Sequence, residues 1–344
     1  MSNQNRNNYN HKYHVLLGLF RNVIKLRIFL MVLVLYVILS LMSPTFRTIN
    51  FLFENILRPA SIICILSLGM TFILASKGLD LSVGSIAALA SSIGVMAFNN
   101  YGLPIWLGIL IGLLVGGAFG FFNAFCITRF RVAPFIVTIA TLSIGRGLTL
   151  VISGNLFTYG LPSEFRDFGR GTIAGIPTPF LIAVFLYFVM YFLFTQTQLG
   201  KYACAIGANE QAARVAGIRV DLYKTILYIL IGMLAALSGL LFSSRANMIA
   251  VTTGMGYELD AIASVILGGT SMAGGSGSIT GSFLGAIMLM LLDNGLQLLG
   301  INTFLQKAVV GVIIIVGLAY AAWQDEKAKT TARRLMAVKI QKSS

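Results

Sequence analysis

Apolar residues run in long blocks along this chain, broken by short stretches that hold the charges, prolines and many of the glycines. A helix crosses a bilayer with about 20 mostly apolar residues, fewer where flanking groups reach the interface. Counted on that basis the blocks predict ten spans: 28–43, 59–76, 83–99, 103–127, 133–152, 179–195, 224–243, 258–271, 279–299 and 304–323. The fold class is therefore all-α, a polytopic bundle of about ten transmembrane helices. The eighth span is the shortest. No separate soluble domain fits between the blocks, so the chain divides into a basic tail at 1–27, a membrane domain at 28–323 and a second basic tail at 324–344.

Composition agrees with lipid as the solvent. Of 344 residues 57% are hydrophobic and 10% charged, against about a quarter charged in a soluble domain. The net charge of +14 would suggest nucleic acid in a soluble protein, but placement decides otherwise. Basic residues sit in the tails and in short loops, where they meet anionic headgroups and fix orientation. With the N-terminus inside, the inner segments hold 18 of the 25 Lys and Arg residues. Both termini are thus expected in the cytoplasm, and no nucleic-acid partner. The first span follows Arg21, Lys25 and Arg27, yet Ser43, Pro44, Thr45 and Phe46 offer no small-x-small cleavage site, so it reads as a retained helix. Cys64, Cys126 and Cys204 lack metal-ligand spacing.

Two loops exceed what a turn needs. The outer one, 153–178, holds Pro162, Glu164, Arg166, Asp167, Arg170 and Pro177, a near-neutral set that predicts a short interfacial helix. The inner one, 196–223, predicts a surface helix over about Asn209–Ala216: Asn209 as N-cap, Glu210 in the first turn, Gly217 as the stop. Gly207 and Gly217 let the chain turn at either end, Ala212, Ala213 and Ala216 permit close approach, and Glu210 and Arg214 are spaced to pair. Glycines four apart, at 108, 112, 116 and 120 and at 277, 281 and 285, read as faces for helix packing in lipid.

Catalytic chemistry is missing from the pattern. No G-x-x-x-x-G-K-[ST] loop occurs, so ATP is not cradled here in that way. His11 and His14 lie in the N-terminal tail, away from any intramembrane proton relay. Carboxylates near the membrane are few, Asp80, Glu258, Asp260 and Asp293 standing near helix ends, which disfavours an ion-coupled transporter. No nucleophile and base pair stands out, and no metal or cofactor is expected on the chain. The polar, flexible run 77–85 reads either as a tight turn or as a broken helix facing a water-filled path, with Asp80 or Ser82 capping the helix after it. Asn123, Arg146 and Asn294 are further polar residues within apolar spans.

Four stretches resemble the inner-membrane permeases of ABC importers for ribose, xylose, arabinose, galactofuranose and the related quorum-signalling sugar. They are GLDLSVGS at 78–85, APFIVTIATLSIGRGL at 133–148, GKYACAIGANEQAARVAGIRV at 200–220 and YELDAIASVILGGTSMAGGSGSITGSFLGA at 257–286. The similarity runs from about residue 55 to 322, and Phe121-Phe122-Asn123-Ala124 departs from the family's more usual Asn-Gly.

The resemblance implies a permease in the bacterial inner membrane, paired with a second copy or paralogue. Two ATP-binding subunits carrying ATP and Mg, an extracytoplasmic binding protein and a sugar substrate complete the system, selectivity resting largely on the binding protein. It also implies an ATPase-coupling segment holding Gly200, Lys201, Gly207, Asn209, Glu210, Ala212, Ala213, Arg214 and Gly217. A hydroxylated solute crossing lipid needs replacement hydrogen bonds, so Asp80, Ser82, Ser85, Asn123 and Asn294 are expected at the translocation path. Arg47, Arg58, Arg166 and Arg170, basic residues on the side usually depleted of them, are expected to dock the binding protein. The alternatives are a permease for nucleosides, branched-chain amino acids or urea, and a secondary transporter or channel.

Overall fold

The computed structural model describes residues 26–153 and 158–302, with scattered helical residues between 305 and 319. His11 and His14, both tails save residues 26–27, and much of the tenth span lie outside the described residues. Helix α1 is Leu26–Met42 and α2 is Ile49–Ala75, which contains a π-helical stretch at Leu52–Leu57. Then come α3 (Val83–Asn99), α4 (Ile105–Arg129) and α5 (Pro134–Ser153). A short outer helix α6 (Ser163–Arg170) precedes α7 (Thr178–Gln196). Two short helices follow, α8 (Gln198–Ala208) and α9 (Glu210–Val215), then α10 (Val220–Ala246), α11 (Tyr257–Leu267) and α12 (Ile279–Leu298). Six of these, α2, α4, α5, α7, α10 and α12, are long and apolar enough to cross a membrane.

The structure departs from the expected spans at α2, which begins at Ile49 and not near residue 59, and at α11. α11 has 11 residues, about 16 Å at 1.5 Å per residue, which is half a bilayer, so the expected span 258–271 is a half-helix ended by Gly268 and Gly269. The loop between α5 and α7 forms the expected short helix α6 and adds small strand pairings. β1 (Thr158–Tyr159) pairs antiparallel with β4 (Met248–Ile249), and β2 (Thr172–Ile173) with β3 (Ile176–Pro177).

The centre of the molecule is α2 from Arg58 to Ala75, almost wholly buried there, with α3, α4 and α10 packed together beside it. Lipid supplies no hydrophobic drive between helices, so close backbone approach carries the association. The glycine row of α4 makes that approach. A Cβ on Gly116 would stand 2.3 Å from the Gly232 carbonyl oxygen, and one on Gly120 2.1 Å from that of Tyr228, both on α10. The second glycine row works likewise, Gly281 and Gly285 lying against Gly268 and Ser264 of the α11 segment.

Candidate functional site

The loop between α7 and α10 builds a compact hub. Thr197 opens α8 by accepting from the Leu199 amide at 3.2 Å, and Gly200 fits under the Phe194 carbonyl as the chain reverses. At the far end of α8, a Cβ on Gly207 would meet Ala75 O at 1.9 Å and Gly275 N at 2.7 Å. Gly207 thus serves close approach within a helix, rather than the turn expected from the sequence. The Gly275 amide in turn donates to Ala75 O at 2.9 Å. The end of α2, the end of α8 and the glycine-rich loop 268–278 therefore meet backbone to backbone.

From this hub α9 projects. Asn209 Oδ1 accepts from the Ala212 amide at 3.0 Å as the N-cap, and Gly217, at φ +85°, ends the helix with the Ile218 amide reaching back to Ala213 O. Arg214 pairs with Glu210 at 2.9 Å and with Asp221 at 2.5 Å, while Lys224 reaches Glu210 at 2.7 Å and Arg131 reaches Asp221 at 3.1 Å. Burial pushes the Glu210 carboxyl up, but hydrogen bonds from Lys224 and Arg214 outweigh it and hold the group below the usual carboxylate range. The network ties α9 to the start of α10. Ala213 packs inward on Ile206 and Val220. Ala212, Val215 and Ala216 face out, Val215 at 91% exposure, so α9 ends in a bare apolar tip. Lys201 is exposed near the start of α8.

Beside the hub, residues 76–82 leave helical conformation inside the protein. Asp80 Oδ1 accepts from the Ser82 amide at 2.9 Å and from its hydroxyl at 2.6 Å, so Ser82 holds the N-cap position of α3 as the sequence suggested, but neither side chain bonds the helix amides. Asn123 Nδ2 donates to Ser82 Oγ at 2.9 Å, Ser85 Oγ donates to Ser82 O, and the Tyr228 hydroxyl donates to Leu79 O. Irregular backbone at depth is tolerated where protein meets its polar groups, and these side chains do so. Asp80, Ser82, Ser85 and Asn123 come together as one buried cluster. Asn294 stands apart, bonded to Met290 O in the part of α12 that packs on α1, where Gly295 meets Leu39.

A second polar cluster escaped the sequence reading. Arg146 of α5 donates to the carbonyls of Val251 at 2.7 Å and Thr253 at 2.6 Å. Glu258 in the first turn of α11 points at the start of α3, where a Cβ on Gly84 would lie 2.5 Å from its Oε2 and 2.2 Å from Gly254 O. Glu258 Oε2 and Thr253 Oγ1 are buried without a hydrogen-bond partner among the described residues. Three elements more than 50 residues apart converge here, which spacing alone does not reveal; the one signal was an arginine and a glutamate within or beside apolar spans.

The four arginines divide. Arg47 is exposed and bonds Ser40 O, Arg170 is exposed and bonds Arg245 O, and Arg166 is half-buried. Arg58 is buried at 4% exposure, its guanidinium joining Gly169 O at 2.9 Å and Glu54 at 2.6 Å. It staples α2 to α6 and does not stand free at the surface.

A family model described as "Branched-chain amino acid transport system / permease component" matches residues 52–318. The chain belongs to this permease family. It is 41% identical to the ribose import permease protein of Bacillus subtilis (strain 168) over 85% of this chain and 91% of that one. The ribose import permease protein of Escherichia coli (strain K12) is 40% identical, covering 82% and 89% respectively. The D-allose transport system permease protein of the same strain is 33% identical over 85% and 89%. The permease is a multi-pass membrane protein, as its long apolar helices require.

Proposed function

We propose that this permease is the membrane subunit of an ATP-driven importer for a ribose-like monosaccharide in the bacterial inner membrane. It acts with a second copy or a paralogue, two ATP-binding subunits that hold ATP and Mg, and an extracytoplasmic binding protein that delivers the sugar. Both termini and the α8–α9 hub face the cytoplasm, and α6 faces the binding protein with Arg47, Arg166 and Arg170. Similarity to ribose and allose permeases over most of the chain supports the sugar class.

The observation that carries the coupling reading is the backbone junction of Gly207, Ala75 and Gly275. An ATP-binding subunit that grips the apolar tip of α9 moves α8 through Asn209, which joins the two helices, and through Ala213 packed on Ile206. α8 cannot move without carrying the end of α2 and loop 268–278, because no side chain lies between them to yield. That loop leads into α12, and α2 leads into the Asp80–Ser82–Asn123 cluster at the start of α3. The Arg146, Thr253 and Glu258 cluster supplies hydrogen-bonding groups deeper along the path for a hydroxylated solute.

The test is reconstitution. Proteoliposomes holding the permease with its co-expressed ATP-binding subunit, supplied with binding protein and labelled ribose, are expected to accumulate sugar only with ATP. Liposomes with the permease alone are expected to hydrolyse none. ATP turnover by the single chain would overturn the division of labour, and uptake of a branched-chain amino acid in place of the sugar would overturn the substrate class.

A further inference from the structure

α7 carries exposed aromatic residues along its length, Phe185, Phe188 and Phe192, the first two at 67% and 63% exposure. That apolar face suits lipid chains. At its end a cavity of about 500 Å³ opens between α7, α8 and the start of α12. Tyr191 and Phe194 form its apolar wall, and Thr195, Ser276, Ser278 and Thr280 contribute hydroxyl-bearing residues. Lys201 stands at the cavity as its one charged lining residue. None of the ion pairs among the described residues uses Lys201. Ser278 Oγ caps α12 by accepting from the Gly281 amide at 3.0 Å. The first amides of α12, on the cavity-lining Ile279 and Thr280, remain among the donors that a helix start leaves unpaired.

The hydroxyls of Thr195 and Thr280 are engaged with Tyr191 O and Tyr187, but a cation, the Ser276 and Ser278 hydroxyls and a helix start around a space free of carboxylates select an anion. The aromatic wall continuing into the exposed face of α7 selects the source of that anion, since Lys and aromatic residues at the ends of spans sit at headgroup depth. We propose that this cavity binds the phosphate of an anionic phospholipid in the leaflet at the α8 end, with the acyl chains along Phe185, Phe188 and Phe192 and Lys201 as the counter-charge. The site goes beyond the importer reading and does not depend on which solute is carried. Its place against Gly200, Cys204 and Gly275 sets bound lipid against the same hub that receives α9.

The full-length permease, purified in mild detergent, is exchanged into mixed vesicles of phosphatidylcholine and phosphatidylglycerol with the same acyl chains. The lipid retained per permease is then counted by native mass spectrometry. Phosphatidylglycerol is expected to be retained over phosphatidylcholine, with K201Q lowering that preference about fivefold, the factor one cationic side chain contributes at an anionic membrane surface. K201R is expected to keep the preference, which separates charge from folding. An unchanged preference in K201Q, or loss of the preference in K201R as well as K201Q, overturns the assignment. A third arm adds inorganic phosphate: if phosphate is retained by the wild type but not by K201Q while phosphatidylglycerol is not retained over phosphatidylcholine, the cavity takes free phosphate and the lipid assignment is overturned.

Discussion

Gly207→Ala asks the coupling junction to admit one methyl group. That carbon would be placed 1.9 Å from Ala75 O, 2.7 Å from Gly275 N and 2.9 Å from Ala75 C. Carbon and oxygen meet comfortably at about 3.3 Å, so α8 must retreat by more than an ångström or the end of α2 must give way. All the atoms concerned are backbone, and none can rotate aside as a side chain would. Overpacking of this kind costs about 1–3 kcal/mol, and parting Ala75 O from the Gly275 amide adds the loss of a buried hydrogen bond, about 1–3 kcal/mol more if both groups stay dry. That sum is small beside the stability of a large helix bundle and large beside the energy that holds one short helix against its neighbours. The variant is therefore expected to insert and to co-purify with its ATP-binding subunit, while sugar uptake in proteoliposomes falls at least about tenfold. Gly147→Ala is the control, since that glycine also lies within a helix and has nothing within 4 Å of its added carbon; it carries the same substitution without the clash. Wild-type uptake by Gly207→Ala with intact assembly would refute transmission through this junction.

Further outcomes follow from the other clusters. Arg146→Met removes two charge-assisted bonds to the 251–253 backbone, each about 1.5–3 kcal/mol, and is expected to abolish uptake while co-purification of the ATP-binding subunit persists. Gly84→Ala drives a methyl onto Gly254 O and Glu258 Oε2 and is expected to reduce folded protein, measured as the monodisperse fraction after detergent extraction. The Glu210 carboxyl is held below its ordinary value, about 4.3. Its contribution to anchoring α9 is therefore full above that value and lost as pH falls through the lower folded value. Protection of the α9 amides against hydrogen exchange, taken relative to the intrinsic rate at each pH, is expected to fall only in that acid range, and Glu210→Gln to lose it at neutral pH. Charge reversal at both Arg166 and Arg170 is expected to slow association of the binding protein, most at low salt; an unchanged rate there would remove these residues from docking.

Much of this architecture could be read from the chain because membrane helices announce themselves by length. The spans 83–99, 133–152, 179–195 and 279–299 lie within two residues of α3, α5, α7 and α12 at both ends. Local chemistry was legible too: Asn209 caps α9 and Gly217 ends it, as side-chain and backbone preferences require. The half-helix α11 was harder, since an apolar run shows where a helix is permitted but not where Gly268 and Gly269 stop it. Tertiary roles were least visible. Gly207 reads as a turn residue until Ala75 is seen against it, Arg58 reads as an outer charge until Gly169 and Glu54 enclose it, and Arg146 meets its carbonyl partners only after more than 100 intervening residues fold between them.

The glycine rows of α4 have a mechanical meaning beyond adhesion. Because Gly120 lies against the Tyr228 carbonyl oxygen and Gly232 against that of Gly116, turning α4 by one residue would bring Phe119 or Phe121 to the place of Gly120, and turning α10 would bring Ile231 or Met233 to the place of Gly232, each into a slot sized for a hydrogen atom. The contact behaves as a keyed joint: it can tilt as a block but cannot slip. Whatever opens and closes in this protein must therefore be sought away from the block of α3, α4 and α10, in the irregular segments 76–82 and 268–278 that border the hub and in the short helices attached to them. Joined to one another through Gly207, Ala75 and Gly275, those parts move together.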